Sequence, residues 1–153
     1  MSSKIVSSLL GEVVYNEQDV YHFKQGLPGF SNLKKFILLT IEDSPFTVLH
    51  SIEEDKYFFL INPFSTFPNY EFTVPEYLIT ELSIEEEEQV VCYSVVVLRE
   101  PLHESRANMV APIILNTHTH QGAQLVLENV NYSVRQPIFV QEEVVKPVSE
   151  QKR

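Results

Sequence analysis

The chain has 153 residues, with 11 Lys and Arg against 21 Asp and Glu, a formal net charge of -10 and 44% hydrophobic residues. One domain of this size buries about 70% of its unfolded surface and needs no disulfide or metal to fold, while the acidic balance argues against direct nucleic-acid binding, which needs Lys and Arg to neutralise phosphates. The single cysteine, Cys92, rules out an intrachain disulfide and favours a reducing compartment. No stretch approaches the ~20 apolar residues of a membrane span. Met1 to Leu10 carries one lysine and a short apolar run, too little for a signal h-region with its flanks. The expectation is a cytoplasmic protein with no membrane partner and no cofactor.

Short apolar and aromatic runs alternate with turn signals along the chain. Val13 to Phe23 reads as strand, turn, strand, with Asn16 and Glu17 near the bend. Gly26-Leu27-Pro28-Gly29 is a tight turn, since glycine tolerates φ > 0 and proline fixes φ. Phe36 to Leu39 is a strand closed by Asp43-Ser44-Pro45, and Phe46 to Ser51 is another. Tyr57 to Ile61 is fully apolar, as suits a strand buried on both faces, and Asn62-Pro63 stops it. Pro75 stands where a first helical residue would, with Tyr77, Leu78 and Leu82 on one helical face. Ser83 and Glu86 fit a capping box opening a further short turn. Gln89 to Leu98 returns to β. Met109 to Asn116 and Gln124 to Leu127 flank a polar turn ending at Gly122, a hairpin pattern. The pattern predicts a mainly β, single-domain, antiparallel β-barrel-like fold over residues 9–140 with one or two short helices, then a loose tail over 141–153.

Charge is unevenly spread. Between Lys56 and Arg99 there is no Lys or Arg, while Glu71, Glu76, Glu81 and Glu85 to Glu88 fall in that stretch. Such a run either solvates an acidic face or presents a docking field to a basic partner. A helix N-terminus would account for one or two of the last four glutamates, not for all.

Catalytic signatures are missing: there is no G-x-S-x-G elbow, P-loop or Rossmann glycine pattern. Cys92 lies among strand valines without a basic neighbour and reads as a small core residue. His118 and His120 lie two apart beside a turn, and two histidines do not complete a metal site. The segment from Asn62 to Phe72 is chemically unusual, packing aromatics around two prolines that interrupt backbone pairing. Rigid aromatics on such a crossing suit protein recognition; the alternative is that its phenylalanines plug the barrel end. Both hold if Tyr70 and Glu71 face out while Phe64, Phe67 and Phe72 face in.

These blocks, in this order, resemble the flagellar assembly factor FliW family over about Gly11 to Phe139. Phe23 with Gly26 to Phe30 is similar to the family's F-x-x-G-(L/I)-P-G-F, and Asp43 to Phe46 with Leu49 and Ser51 to its D-S-P-F-x-x-L-Q-S. Asn62-Pro63-Phe64 and Phe67 to Phe72 resemble N-P-F and F-P-D-Y-E; Asn108 with Ala111 to Asn116 resembles N-L-x-A-P-I-x-I-N. Gly122, Gln124 and Tyr132 to Pro137 fit the ending G-x-Q then Y-x-x-R-H-P. His50, Asn69, Leu115 and Gln136 stand where the family usually has Gln, Asp, Ile and His; none breaks a backbone-fixing Gly or Pro.

The resemblance implies a barrel-like β fold, no enzyme activity and two alternative protein partners. One is flagellin held before export. The other is CsrA, a small RNA-binding dimer that represses translation of the flagellin message. Secretion of flagellin would free the protein to bind CsrA and relieve repression. Asn62, Pro63, Phe64, Asn69, Tyr70, Glu71 and Phe72 are the candidate partner-binding residues, with Glu76 and Glu81 beside them. The rival reading is a small-molecule or carbohydrate-binding β-barrel with weak hydrolase activity, which needs a concave apolar pocket holding a few inward polar groups.

Overall fold

The computed structural model describes residues 1–139. Its strands are β1 (Ser2–Ser7), β2 (Gly11–Asn16), β3 (Tyr21–Phe23), β4 (Lys35–Thr40), β5 (Thr47–Ser51), β6 (Tyr57–Ile61), β7 (Val90–Val97), β8 (Arg106–Ala107), β9 (Ile113–Asn116), β10 (Gln121–Gln124) and β11 (Gln136–Pro137). Two short helices interrupt them, α1 (Pro63–Thr66) and α2 (Glu76–Glu81). From β3 to β7 each barrel strand pairs antiparallel with the next; β7 then pairs with β9, β9 with β10, and β10 closes onto β3 in parallel. The result is a closed seven-stranded barrel, the mainly β fold that the strand spacing predicts. Closure removes the long free edges that an open sheet would expose.

Strand alternation sorts the side chains. Ile113 and Leu115 of β9 point inward and pack with Phe23, Phe36, Leu49 and Leu60. Ile114, between them, faces outward under α2 and meets Leu78, Leu82 and Leu125. A further cluster, with Phe46, Ile61, Tyr70, Val96 and Met109, underlies the segment after β6. Each fully buried large apolar side chain contributes roughly 1.5–3 kcal/mol. The barrel interior is filled by aromatics and leucines rather than left hollow. Gly122 is part of that packing: a Cβ there would lie 2.6 Å from the Phe23 ring and 2.7 Å from Leu115 Cδ2.

Several local expectations change. Val13 to Phe23 is strand, turn, strand as expected, but its two strands do not pair with each other. β2 pairs with β1, whereas β3 joins β4 and β10, because a short 3-10 turn at Glu17–Asp19 redirects the chain before buried Val20. Strand β1 precedes the expected domain start at Leu9, which falls in the turn between β1 and β2. Its Ser-rich, exposed face gave little hydrophobic pattern. Residue 140 and the tail over 141–153 lie outside the described residues. Pro75 is the N-cap of α2 rather than its first residue. Ser83 has φ 56° and does not cap; the box is formed by Glu86 and Gln89. The β9–β10 turn ends before Gln121, so Gly122 lies inside a strand opposite Leu115.

Candidate functional site

The segment after β6 is built on Asn62. Its Oδ1 accepts from the N–H groups of Phe64 (2.9 Å) and Ser65 (3.3 Å), and Pro63 supplies a first helical residue that needs no N–H partner. This makes one turn, α1, where an irregular crossing was expected. Phe67 C=O then accepts from the Tyr70 N–H at 2.9 Å, so Phe67 to Tyr70 is a tight turn that folds Tyr70 back beneath α1.

That turn inverts the expected facing. Tyr70 is 5% exposed, and its hydroxyl donates to the Met109 carbonyl at 2.8 Å. A phenol, unlike a phenylalanine ring, satisfies that buried acceptor, which is why the tyrosine goes inside. Burial, then the neighbouring Tyr132 and Cys92, hold its pKa far above the ordinary phenol value. Phe64, expected to face in, is 44% exposed and stacks on Phe72 with centroids 5.9 Å apart. Phe72 is half-buried. Asn69 and Glu71 are exposed as expected, and Pro63 is buried beneath them.

Glu71 is held by its backbone. The Tyr132 hydroxyl accepts from the Glu71 N–H and donates to the Glu71 carbonyl, both at 3.0 Å. Among the described residues the carboxylate has no partner, and it lies on the surface. Tyr132 is a site residue that pattern reading did not place; only its position in the Tyr132 to Pro137 block pointed to it. Glu76, the first residue of α2, is exposed. Glu81 is half-buried, and its carbonyl accepts from Gln121 Nε2 at 3.1 Å. Five positions apart on an α-helix means about 140° of rotation, so Glu76 and Glu81 do not share a face.

Phe64 and Phe72 also wall a groove of 670 Å³ whose floor includes Val74, Ile79, Ile84, Val90 and Cys92. Glu85, Glu86 and Glu87 form its rim. Glu86 is committed to the capping box with Gln89. Among the described residues the ion pair is Lys4–Glu12, and the other contact between a basic side chain and a carboxylate is His50–Asp55, so no cation bridges the glutamates of this face. Cys92, expected in the core, is half-buried at the groove floor, and burial pushes its thiol up to about 11. A thiol held protonated in this way is a poor nucleophile. His118 is exposed and lies 3.4 Å from Gln89 Nε2, while the His120 ring packs 4.8 Å from that of Tyr21. Among the described residues no group of three or more His, Cys, Asp or Glu is placed to hold a metal, and no helix is long and apolar enough to cross a membrane.

A profile of the FliW protein family matches residues 4–138. The chain belongs to the FliW family. Its relatives include the flagellar assembly factor FliW of Geobacillus thermodenitrificans, 38% identical over 137 residues, covering 89% of this chain and 95% of that protein. The FliW proteins of Caldicellulosiruptor bescii (37% over 138 residues, 90% and 91% covered) and Clostridium novyi (39% over 138, 89% and 96%) are similarly close. A crystal structure of the flagellar assembly factor FliW superposes with a TM-score of 0.86 at 36% identity, covering 90% of this chain and 98% of that one.

Proposed function

We propose that this FliW-family chain is a cytoplasmic, non-enzymatic partner switch. It binds flagellin before export, and when flagellin leaves, it binds the translational repressor CsrA and relieves repression of flagellin synthesis. The observation that carries this reading is the groove walled by exposed Phe64 and rimmed by Glu85 and Glu87, with exposed Glu71, Glu76 and Tyr77 on the segment between them in sequence and none of these carboxylates paired with a cation among the described residues. Exposed aromatics offer anchors to a protein partner, and an uncompensated carboxylate field suits a basic RNA-binding protein. The filled barrel interior favours this over a ligand-binding barrel.

Asn62 and Pro63 shape the backbone of this surface, Phe64 and Phe72 supply its apolar part, and Asn69, Glu71 and Glu76 its polar rim. Tyr70 supports it from beneath, and Glu81 borders it. The test is direct binding of the purified chain to flagellin and to CsrA, separately and in competition. Failure to bind either one, or simultaneous binding of both without mutual weakening, overturns the switch.

A further inference from the structure

The ladder around β7 leaves a gap that the barrel does not fill. Directly opposed residues in an antiparallel pair alternate between exchanging hydrogen bonds and not. Thr117 N–H donates to Gln89 O at 2.7 Å, and the register Val90↔Asn116 to Tyr93↔Ile113 continues from that pair. The Gln89 carbonyl, and the N–H and C=O groups of Val91 and Tyr93, therefore point toward β9, while the Gln89 N–H donates to the Glu86 carbonyl at 3.1 Å. Val95 does the same on that side, its carbonyl accepting from Asn108 N–H at 2.9 Å. Val90, Cys92, Ser94 and Val96 must point to the opposite side.

On that side Val96 and Ser94 meet Phe59 and Ile61 of β6. One further step in register would place Pro63 opposite Cys92. Proline has no N–H to give, and the Pro63 carbonyl already accepts from Phe67 N–H at 2.8 Å. The same α1 turn that presents Phe64 thus ends the β6–β7 ladder. Val90 N–H bends back to the Glu87 carbonyl. Among the described residues, the Cys92 N–H and C=O and the Val90 C=O are left without a backbone or side-chain partner. Val90 and Cys92 line the 670 Å³ groove.

We propose that this groove accepts an extended segment of a protein partner as an added strand along Val90–Cys92. Its apolar residues pack on Phe72, Val74 and Ile84, and its Lys or Arg residues face Glu85 and Glu87. The proposal rests on reading this face as the partner surface and goes further, naming the conformation and charge of what is bound. Strand addition gives main-chain bonds to the edge and side-chain pockets at alternate positions. A docked helix would bury the same floor but leave the edge groups unpaired, at a desolvation cost. Three edge residues at ~3.3 Å each correspond to a short segment. The charge is set by the uncompensated rim.

The probe is a blocked synthetic heptapeptide alternating Val and Thr, with Lys at both ends. Its central amide is either free or N-methylated, and a control carries Glu at the ends. Binding is measured by titration on the full chain, with hydrogen exchange read at Cys92. The expected result is slowing of Cys92 exchange by tenfold or more at saturation, and at least tenfold weaker binding for both the N-methylated and the Glu-ended peptides. Glu85→Lys with Glu87→Lys, both at exposed positions, reverses the preference between Lys and Glu ends while leaving the thermal melt unchanged. The proposal is overturned if N-methylation has no effect, or if a helix-stapled peptide of the same composition binds tighter. It also fails if the Cys92 amide is already fully protected in the free chain, as it would be with residues 140–153 or a second copy in the groove. Capture of flagellin and CsrA is scored separately. If both proteins bind while the peptide shows none of these effects, strand addition fails and the partner switch stands.

Discussion

The Ser7 hydroxyl lies 2.8 Å from Nε2 of His50, and both residues are buried, at 4% and 1% exposure. His50 Nδ1 is 2.8 Å from the Ser51 carbonyl, so Nδ1 carries the proton and Nε2 accepts from Ser7. Ser7 Oγ in turn accepts from the N–H groups of Leu9 (3.0 Å) and Leu10 (3.1 Å). One hydroxyl therefore closes the β1–β2 turn and fastens that hairpin to the barrel. An isolated two-stranded hairpin is marginal in water. Ser7→Ala strands a buried imidazole nitrogen and should cost about 1–3 kcal/mol, read as a lower urea midpoint with an unchanged far-UV spectrum. A midpoint equal to the parent's would show that the hairpin is held by something else.

Asp55 is the second fastening. Its carboxylate accepts from Ser8 N–H at 3.1 and 3.3 Å, and this bond, ahead of the charge of Lys56, lowers its pKa. A carboxylate with a depressed folded pKa contributes stability that is fully present above its unfolded value, ~3.9, and lost as pH falls through the lower folded value. Protection of the Ser8 amide, taken relative to its intrinsic exchange rate, should therefore be high at neutral pH and step down below about pH 4. In Asp55→Asn the step should vanish. An acid step of the same size in that variant would assign it to another group.

Tyr70 now reads as a support rather than an anchor. Tyr70→Phe keeps the ring but orphans the Met109 carbonyl, for a loss of about 1–3 kcal/mol. Tyr70→Ala adds a cavity, for about 3–5 kcal/mol. Binding defects in either variant follow from lost folding, so their thermal midpoints should fall along with any affinity. Phe64→Ala, at an exposed ring, is the cleaner probe. It should weaken partner binding by tenfold or more with little change in midpoint, and normal binding by that variant would remove Phe64 from the interface.

What the residues disclosed and what they hid follow physical lines. Strands with β-branched or aromatic runs, such as Phe36 to Leu39 and Val90 to Val97, were legible because period and composition agreed. Strand β1 was not, since its exposed face alternates Ser, Lys and a lone Val. The pairing partners of β2 and β3 depend on the Glu17–Asp19 turn, a three-dimensional choice that local pattern does not encode. In the candidate site, the Asn62-Pro63 stop was visible, but the facing of Tyr70 was not. It is decided by a carbonyl 39 positions away. The free edge at Cys92 is likewise a product of register between β6, β7 and β9. No single segment shows it.

An RNA-binding dimer draws much of its affinity from Lys and Arg facing phosphates. Carboxylates docked near that surface would pair with some cations and repel incoming phosphate over about a Debye length, ~8 Å at physiological salt. The chain need not cover the RNA site to do so. Glu71 and Glu76 are exposed and free of cations among the described residues, whereas Glu81 is half-buried and turned away from Glu76. Glu71→Lys with Glu76→Lys should therefore slow CsrA association by roughly tenfold or more at low salt, within the range of electrostatic steering. Glu81→Lys alone should change it less. Raising the salt should shrink the difference between parent and double variant, because steering is screened. Flagellin binding should respond less to both salt and charge if its contacts are mainly apolar. Association kinetics and RNA displacement are measured separately, so that loss of binding is not mistaken for loss of exclusion. A double variant that binds CsrA at the parent's rate and displaces RNA equally well, at low and high salt alike, would remove these carboxylates from the mechanism.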